Sequence, residues 1–90
     1  MLIVSQDKNI MINFDNVANI NIEKSYNLNE ENFTYDILVY IVSCGLARIA
    51  KYATEERAKE VLNEIIELYK NQINKYHFTY VNNVYEMPKE

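Results

Sequence analysis

Arg48 and Lys51 lie in an apolar segment that leads into Thr54, and Arg57 follows shortly after. A helix is expected to open at Thr54, and the free N–H groups of a helix start bind phosphate. Arg48, Lys51, Thr54 and Arg57 therefore form a candidate anion site for the phosphates of a nucleotide, with Tyr40 and Tyr52 available to stack a base. The simpler account is that Thr54 only caps the helix, that Arg57 is solvated, and that Glu55 and Glu56 repel anions.

Other chemistry finds less material. Glu56, Glu60, Glu64 and Glu67 line one side of the same helix. Such a row can imitate nucleic-acid phosphates, but it is also the ordinary wet side of an amphipathic helix. Cys44 and His77 are the sole Cys–His combination. Structural zinc needs four Cys or His ligands, so no zinc site within one chain is expected. Cys44 ends an apolar segment, where a cysteine is usually a small buried hydrophobe rather than a nucleophile. Asn27, Asn29, Glu30 and Glu31 lack the spacing and glycine of a calcium loop. With Gly45 the single glycine, no glycine-rich phosphate loop exists. Neither enzymatic activity nor a cofactor is expected.

The elements that would position these residues are legible from periodicity. Leu2–Val4 reads as a strand, Gln6–Asn9 as a turn, and Ile10–Phe14 as a second strand antiparallel to the first. Ala18, Ile20 and Ile22 alternate with Asn19, Asn21 and Glu23, as on a strand with one dry face. Ser25–Asn32 reads as a polar loop. Phe33–Cys44 is the strongest strand signal, Cys44-Gly45 supplies a turn, and Leu46–Ala53 returns as a partner strand. A long amphipathic helix follows, over about Thr54 to Tyr76, with Ala58, Val61, Leu62, Ile65, Ile66, Tyr69, Ile73 and Tyr76 as its apolar stripe. Lys70, Lys75 and His77 gather near its far end, and Phe78–Glu86 reads as a last strand. The expectation is a single α+β domain over residues 1–90: a mostly antiparallel sheet of about five strands, one long helix on one sheet face, then a final strand.

Composition fits a folded domain, with 49% hydrophobic and 24% charged residues. The formal charge of −4 argues against general nucleic-acid binding, whose affinity comes from neutralised phosphates. One cysteine permits no internal disulfide. The apolar start Met1–Val4 is too short for a signal-peptide core and lacks a leading positive charge, and no run reaches membrane-spanning length. A soluble cytoplasmic protein is expected.

The Phe33–Cys44 segment is apolar on both faces: Tyr35, Ile37, Val39 and Ile41 point one way, and Leu38, Tyr40 and Val42 the other. One helix covers one face. The Leu38–Tyr40–Val42 face is therefore a candidate self-association surface, and a homo-oligomer is expected.

Three stretches carry a resemblance. They are Ser5-Gln6-Asp7-Lys8 followed by Ile12-Asn13-Phe14-Asp15-Asn16-Val17, the run Ala53-Thr54-Glu55-Glu56-Arg57-Ala58-Lys59-Glu60-Val61-Leu62-Asn63-Glu64-Ile65, and the closing Tyr85-Glu86-Met87-Pro88. Together they resemble a family of short proteins carried by phages and prophages of low-GC Gram-positive bacteria. The central Ser25–Gly45 region fits less well, being more apolar and Asn-rich. The resemblance transfers no chemistry residue by residue. It implies a small accessory viral protein in the host bacterial cytoplasm. By analogy of context, such a protein counters host defence by blocking a defence protein or sequestering a nucleotide immune signal; a plain structural or assembly protein is the rival reading.

Overall fold

The computed structural model describes the backbone of residues 1–74 and 84–90, and the side chains of residues 1–71 and 84–90. The chain runs β1 (Leu2–Val4), β2 (Met11–Asn13), a 3-10 turn (Phe14–Asn16), β3 (Val17–Asn27), β4 (Asn32–Ile41), β5 (Gly45–Tyr52), α1 (Glu55–Asn74) and β6 (Val84–Glu86). This is the expected α+β fold, with a final strand after the helix. The strands divide into two sheets rather than one. β3, β4 and β5 form an antiparallel meander, while β1 is central to a small sheet between antiparallel β2 and parallel β6.

The helix forms where the stripe predicts it. Thr54 caps it: its Oγ1 accepts the Arg57 N–H at 3.2 Å. The Glu55 and Lys59 pair closes at 2.9 Å on the exposed side. Ala58, Val61 and Ile65 are fully buried, and α1 packs on β4 and β5. Beneath it lie Ile37, Val39 and Ile49, joined in one core by Ile3 and Ile12 of the small sheet. Each of these large aliphatic side chains contributes roughly 1.5–3 kcal/mol by leaving water. Phe14 meets Tyr69 edge to face at 4.9 Å, which ties the 3-10 turn to the helix. The Ile73 side chain, Lys75, Tyr76 and His77, and the Phe78–Asn83 part of the expected last strand, lie outside the described residues.

Two expectations about β3 and β4 change. Ser25–Asn32 is not all loop: Ser25, Tyr26 and Asn27 pair with Thr34, Phe33 and Asn32, so the turn shrinks to Leu28–Glu31. Tyr26 meets Phe33 edge to face at 5.0 Å, and these side-chain contacts outweigh the polar composition of the backbone around them. Glu31 turns the chain with a left-handed φ of 52°. At the other end β4 stops at Ile41, so Cys44 is exposed in the turn rather than buried in a strand. Its N–H closes the turn on the Ile41 carbonyl at 3.1 Å. Gly45 follows with the positive φ (88°) that the turn requires.

Candidate binding surface

β5 carries Arg48 and Lys51 on one face only because the strand is irregular. Simple alternation would send residues three apart to opposite faces. Instead Ile37 pairs with Ala50 and Leu38 pairs with Arg48, so Ile49 is an extra residue. This β-bulge turns Ile49 and Ala50 into the core and leaves Arg48 and Lys51 on the outer face, away from α1.

Arg48 is anchored there. Its guanidinium meets the Asp36 carboxylate at 3.2 Å, and the Thr34 hydroxyl donates to the other Asp36 oxygen at 3.0 Å. Asp36 is only 3% exposed. A carboxylate that dry must be paired and hydrogen-bonded, and these two partners hold it. The Arg48 side chain itself stays largely in solvent. The sequence signal for this pair is a lone acid inside an apolar strand, Tyr35-Asp36-Ile37.

The four candidate anion-site residues divide between two cavities. One, of about 270 Å³, is lined by Ser25, Tyr26, Thr34, Arg48 and Lys51 among others. The other, of about 350 Å³, is lined by Lys51, Tyr52, Thr54, Arg57, Lys89 and Glu90 among others. Lys51 stands on both rims and Arg48 reaches only the first. Arg57 is engaged already: its Nε donates to the Glu90 main-chain oxygen at 2.8 Å, and the guanidinium meets Glu60 at 3.2 Å. Tyr52 cannot stack a base, because it is 2% exposed and its hydroxyl donates to the Pro88 carbonyl at 2.8 Å. Burial pushes its pKa up to about 12, opposed by the Arg57 charge. Tyr40 lies toward the opposite end of β4 and outside both cavities.

The expected self-association face is partly open. Leu38 is half-buried, whereas Tyr40 is 48% and Val42 69% exposed. Leu46, 64% exposed, pairs across from Tyr40 and extends the patch. β6 does not cover it, being hydrogen-bonded to β1 in the small sheet. On the helix, Glu56, Glu60, Glu64 and Glu67 are all exposed. Glu60 meets Arg57, and Glu67 meets Lys70 at 3.7 Å, so the row is partly neutralised. Among the described residues no cluster of three His, Cys, Asp or Glu stands together as a metal site, and no helix is long and apolar enough to cross a membrane.

Gln6, which is not among the expected site residues, organises the corner near the second cavity. The Gln6 backbone N–H donates to Ile49 O at 2.8 Å, and its side-chain oxygen accepts the Lys51 N–H at 2.9 Å. Its amide nitrogen reaches Pro88 O and Lys89 O at 3.1 and 2.8 Å. Ser5, Asp7 and Asn9 form the turn that presents it: Ser5 Oγ donates to Asp7 at 2.6 Å, and the Asn9 N–H to the same oxygen at 3.0 Å. Those bonds hold the Asp7 carboxyl below its usual pKa, the Ser5 hydroxyl first. Lys8 reaches Glu86 at 3.8 Å. The Ser5–Lys8, Thr54–Arg57 and Tyr85–Pro88 stretches are thus neighbours in space. Compared with protein-family models, with curated proteins and with solved structures, the chain matches none.

Proposed function

We propose that this chain is a small non-enzymatic binding module of phage origin that acts in the host bacterial cytoplasm by blocking a host defence protein. The contact surface is the outer face of the β3–β4–β5 sheet. The observation that carries this reading is the exposed patch of Tyr40, Val42 and Leu46 on the face that also bears the Asp36-anchored Arg48. Interface hot spots favour aromatic and Arg side chains that lose little freedom on binding, and an Arg held by a buried acid is preorganised in that way. The phage context rests on the resemblance of the Ser5–Val17, Ala53–Ile65 and Tyr85–Pro88 stretches. Capture from host lysate tests the proposal. A partner retained by the native chain and lost on Leu46→Asp or Arg48→Ala supports it; a partner retained by both variants removes this face.

A nucleotide immune signal is the second reading, favoured by the shared cavity of Lys51, Thr54 and Arg57. A ligand present at a hundred times its Kd raises stability by about 2.7 kcal/mol. Thermal melts against a panel of cyclic and linear nucleotides therefore decide it, and an unmoved Tm with every nucleotide ends it. Without ligand or captured partner, the proposal reduces to a structural or assembly protein. In that case a second copy on the Leu38–Tyr40–Val42 face supplies the homo-oligomer.

A further inference from the structure

The outer edge of β3 points to a second interaction surface. β3 is 11 residues long and hydrogen-bonds to β4 on one side. Among the described residues nothing pairs with its other side. An edge of that length presents a row of unpaired N–H and C=O groups, which folded proteins usually blunt with proline, bulges, charge or a cover. β5 has its cover in Gln6. β3 has no proline, and its one irregularity falls between Val17 and Asn19, leaving Asn19–Asn27 in regular register. Its lysine does not guard the edge. Lys24 lies over the Phe33 ring of β4, with Nζ 4.2 Å from the ring centroid.

We infer that β3 pairs antiparallel with β3 of a second copy, about a two-fold axis at Ile22, to give a continuous six-stranded sheet. Ile22 is the midpoint of Val17–Asn27, so this register alone overlaps the whole strand. It sets Ile22 against Ile22 of the second copy, Asn21 against Glu23, Ile20 against Lys24 and Asn19 against Ser25. No like charges face one another. Moving the axis one residue on would oppose Glu23 to Glu23, and two residues on Lys24 to Lys24; moving it back shortens the overlap. Like charges directly opposed across strands are destabilising. Over Asn19–Ser25 the pairing makes roughly six to eight main-chain hydrogen bonds, two for each hydrogen-bonded residue pair. It also extends the half-buried row of Ile20 and Ile22 into that of the second copy. The inference goes beyond the binding reading and does not depend on it.

Sedimentation equilibrium on the native chain, with two variants at exposed Asn21, tests the pairing. The expected result is a dimer, weakened about tenfold by Asn21→Glu, which meets Glu23 at two symmetric places, and tightened by Asn21→Lys. Hydrogen exchange on the native chain gives an independent reading, in which the outward-facing β3 amides are protected at dimer concentrations and exchange freely on dilution. A monomer at every concentration overturns the inference. So does a dimer that ignores both Asn21 variants, or one whose β3 amides exchange freely. A dimer of that kind that is lost on Leu46→Asp belongs to the Tyr40 face instead.

Discussion

The two edges of the β3–β4–β5 sheet are built by opposite rules. Along β5, Gln6 serves as a strand in miniature, accepting and donating across the bulge while its amide holds Pro88 and Lys89. Helix and core lie directly behind that edge. Along β3, eleven residues have no strand on their outer side among the described residues, and beyond Tyr35 the hairpin continues without β5 beside it. One edge is sealed by side-chain mimicry of a backbone, and the other has no such seal among the described residues. Stability is therefore expected to concentrate on the β5 side and association on the β3 side.

The largest test of that contrast is in the core. Ile37→Ala, under the helix, should lose about 2–5 kcal/mol in urea unfolding, against about 1–2 kcal/mol for Ile22→Ala on half-buried β3. Equal losses would break the comparison. Gln6→Ala comes next, with about 1–3 kcal/mol lost and faster hydrogen exchange at the Lys51 amide, because its main-chain partners lose their bonds together. An unchanged Lys51 exchange rate would show that Gln6 does not seal the edge.

Alkaline pH sharpens the same side. Tyr52 has its pKa raised from 10.0 to about 12 by burial, and the buried Tyr85 is raised too, by burial and then by the Glu64 charge. A raised pKa means that the folded state holds the proton more tightly. That stability is complete below pH 10 and is lost as pH climbs toward the folded value. The loss from Tyr52 should be about 1 kcal/mol by pH 11, and it should vanish in Tyr52→Phe. Urea midpoints at pH 9 and pH 11 measure it. The smallest effect belongs to β3, where Lys24→Ala removes the contact with Phe33 at about 0.5 kcal/mol. A loss beyond about 1.5 kcal/mol would mean that the hairpin arm is more tightly coupled to the core than this contrast allows.

Much of this architecture is legible in the sequence because it rests on local periodicity. The period-two run of Ile20 and Ile22, the spacing of Ala58, Val61 and Ile65, the Thr54 cap and the Gly45 turn each depend on neighbours a few residues away. The division into two sheets does not, since it follows from pairing Leu2–Val4 with Val84–Glu86 at the far end of the chain. The bulge at Ile49 was hidden because an extra residue leaves the composition of the strand unchanged while reversing every face after it. For that reason Arg48 and Lys51 come to share a face, and Tyr52 goes into the core instead of a ligand site. Cys44 looked buried because apolar neighbours extend past Ile41, whereas the chain has already turned there. Gln6 carried no signal, since an amide that stands in for backbone has no periodicity to betray it.

The bonds that Gln6 makes to Pro88 and Lys89 span 82 and 83 positions of sequence. Closing loops of that length carries an entropic penalty that shorter hairpins avoid. A ribosome delivers the chain from its N-terminus, so β3, β4 and β5 can pair as a meander while β1 still waits for β6 to be synthesised. During that interval the β5 edge lacks the tail that helps hold its cover. Pro88 and Lys89 therefore act as the latch on a sheet whose strands were made long before.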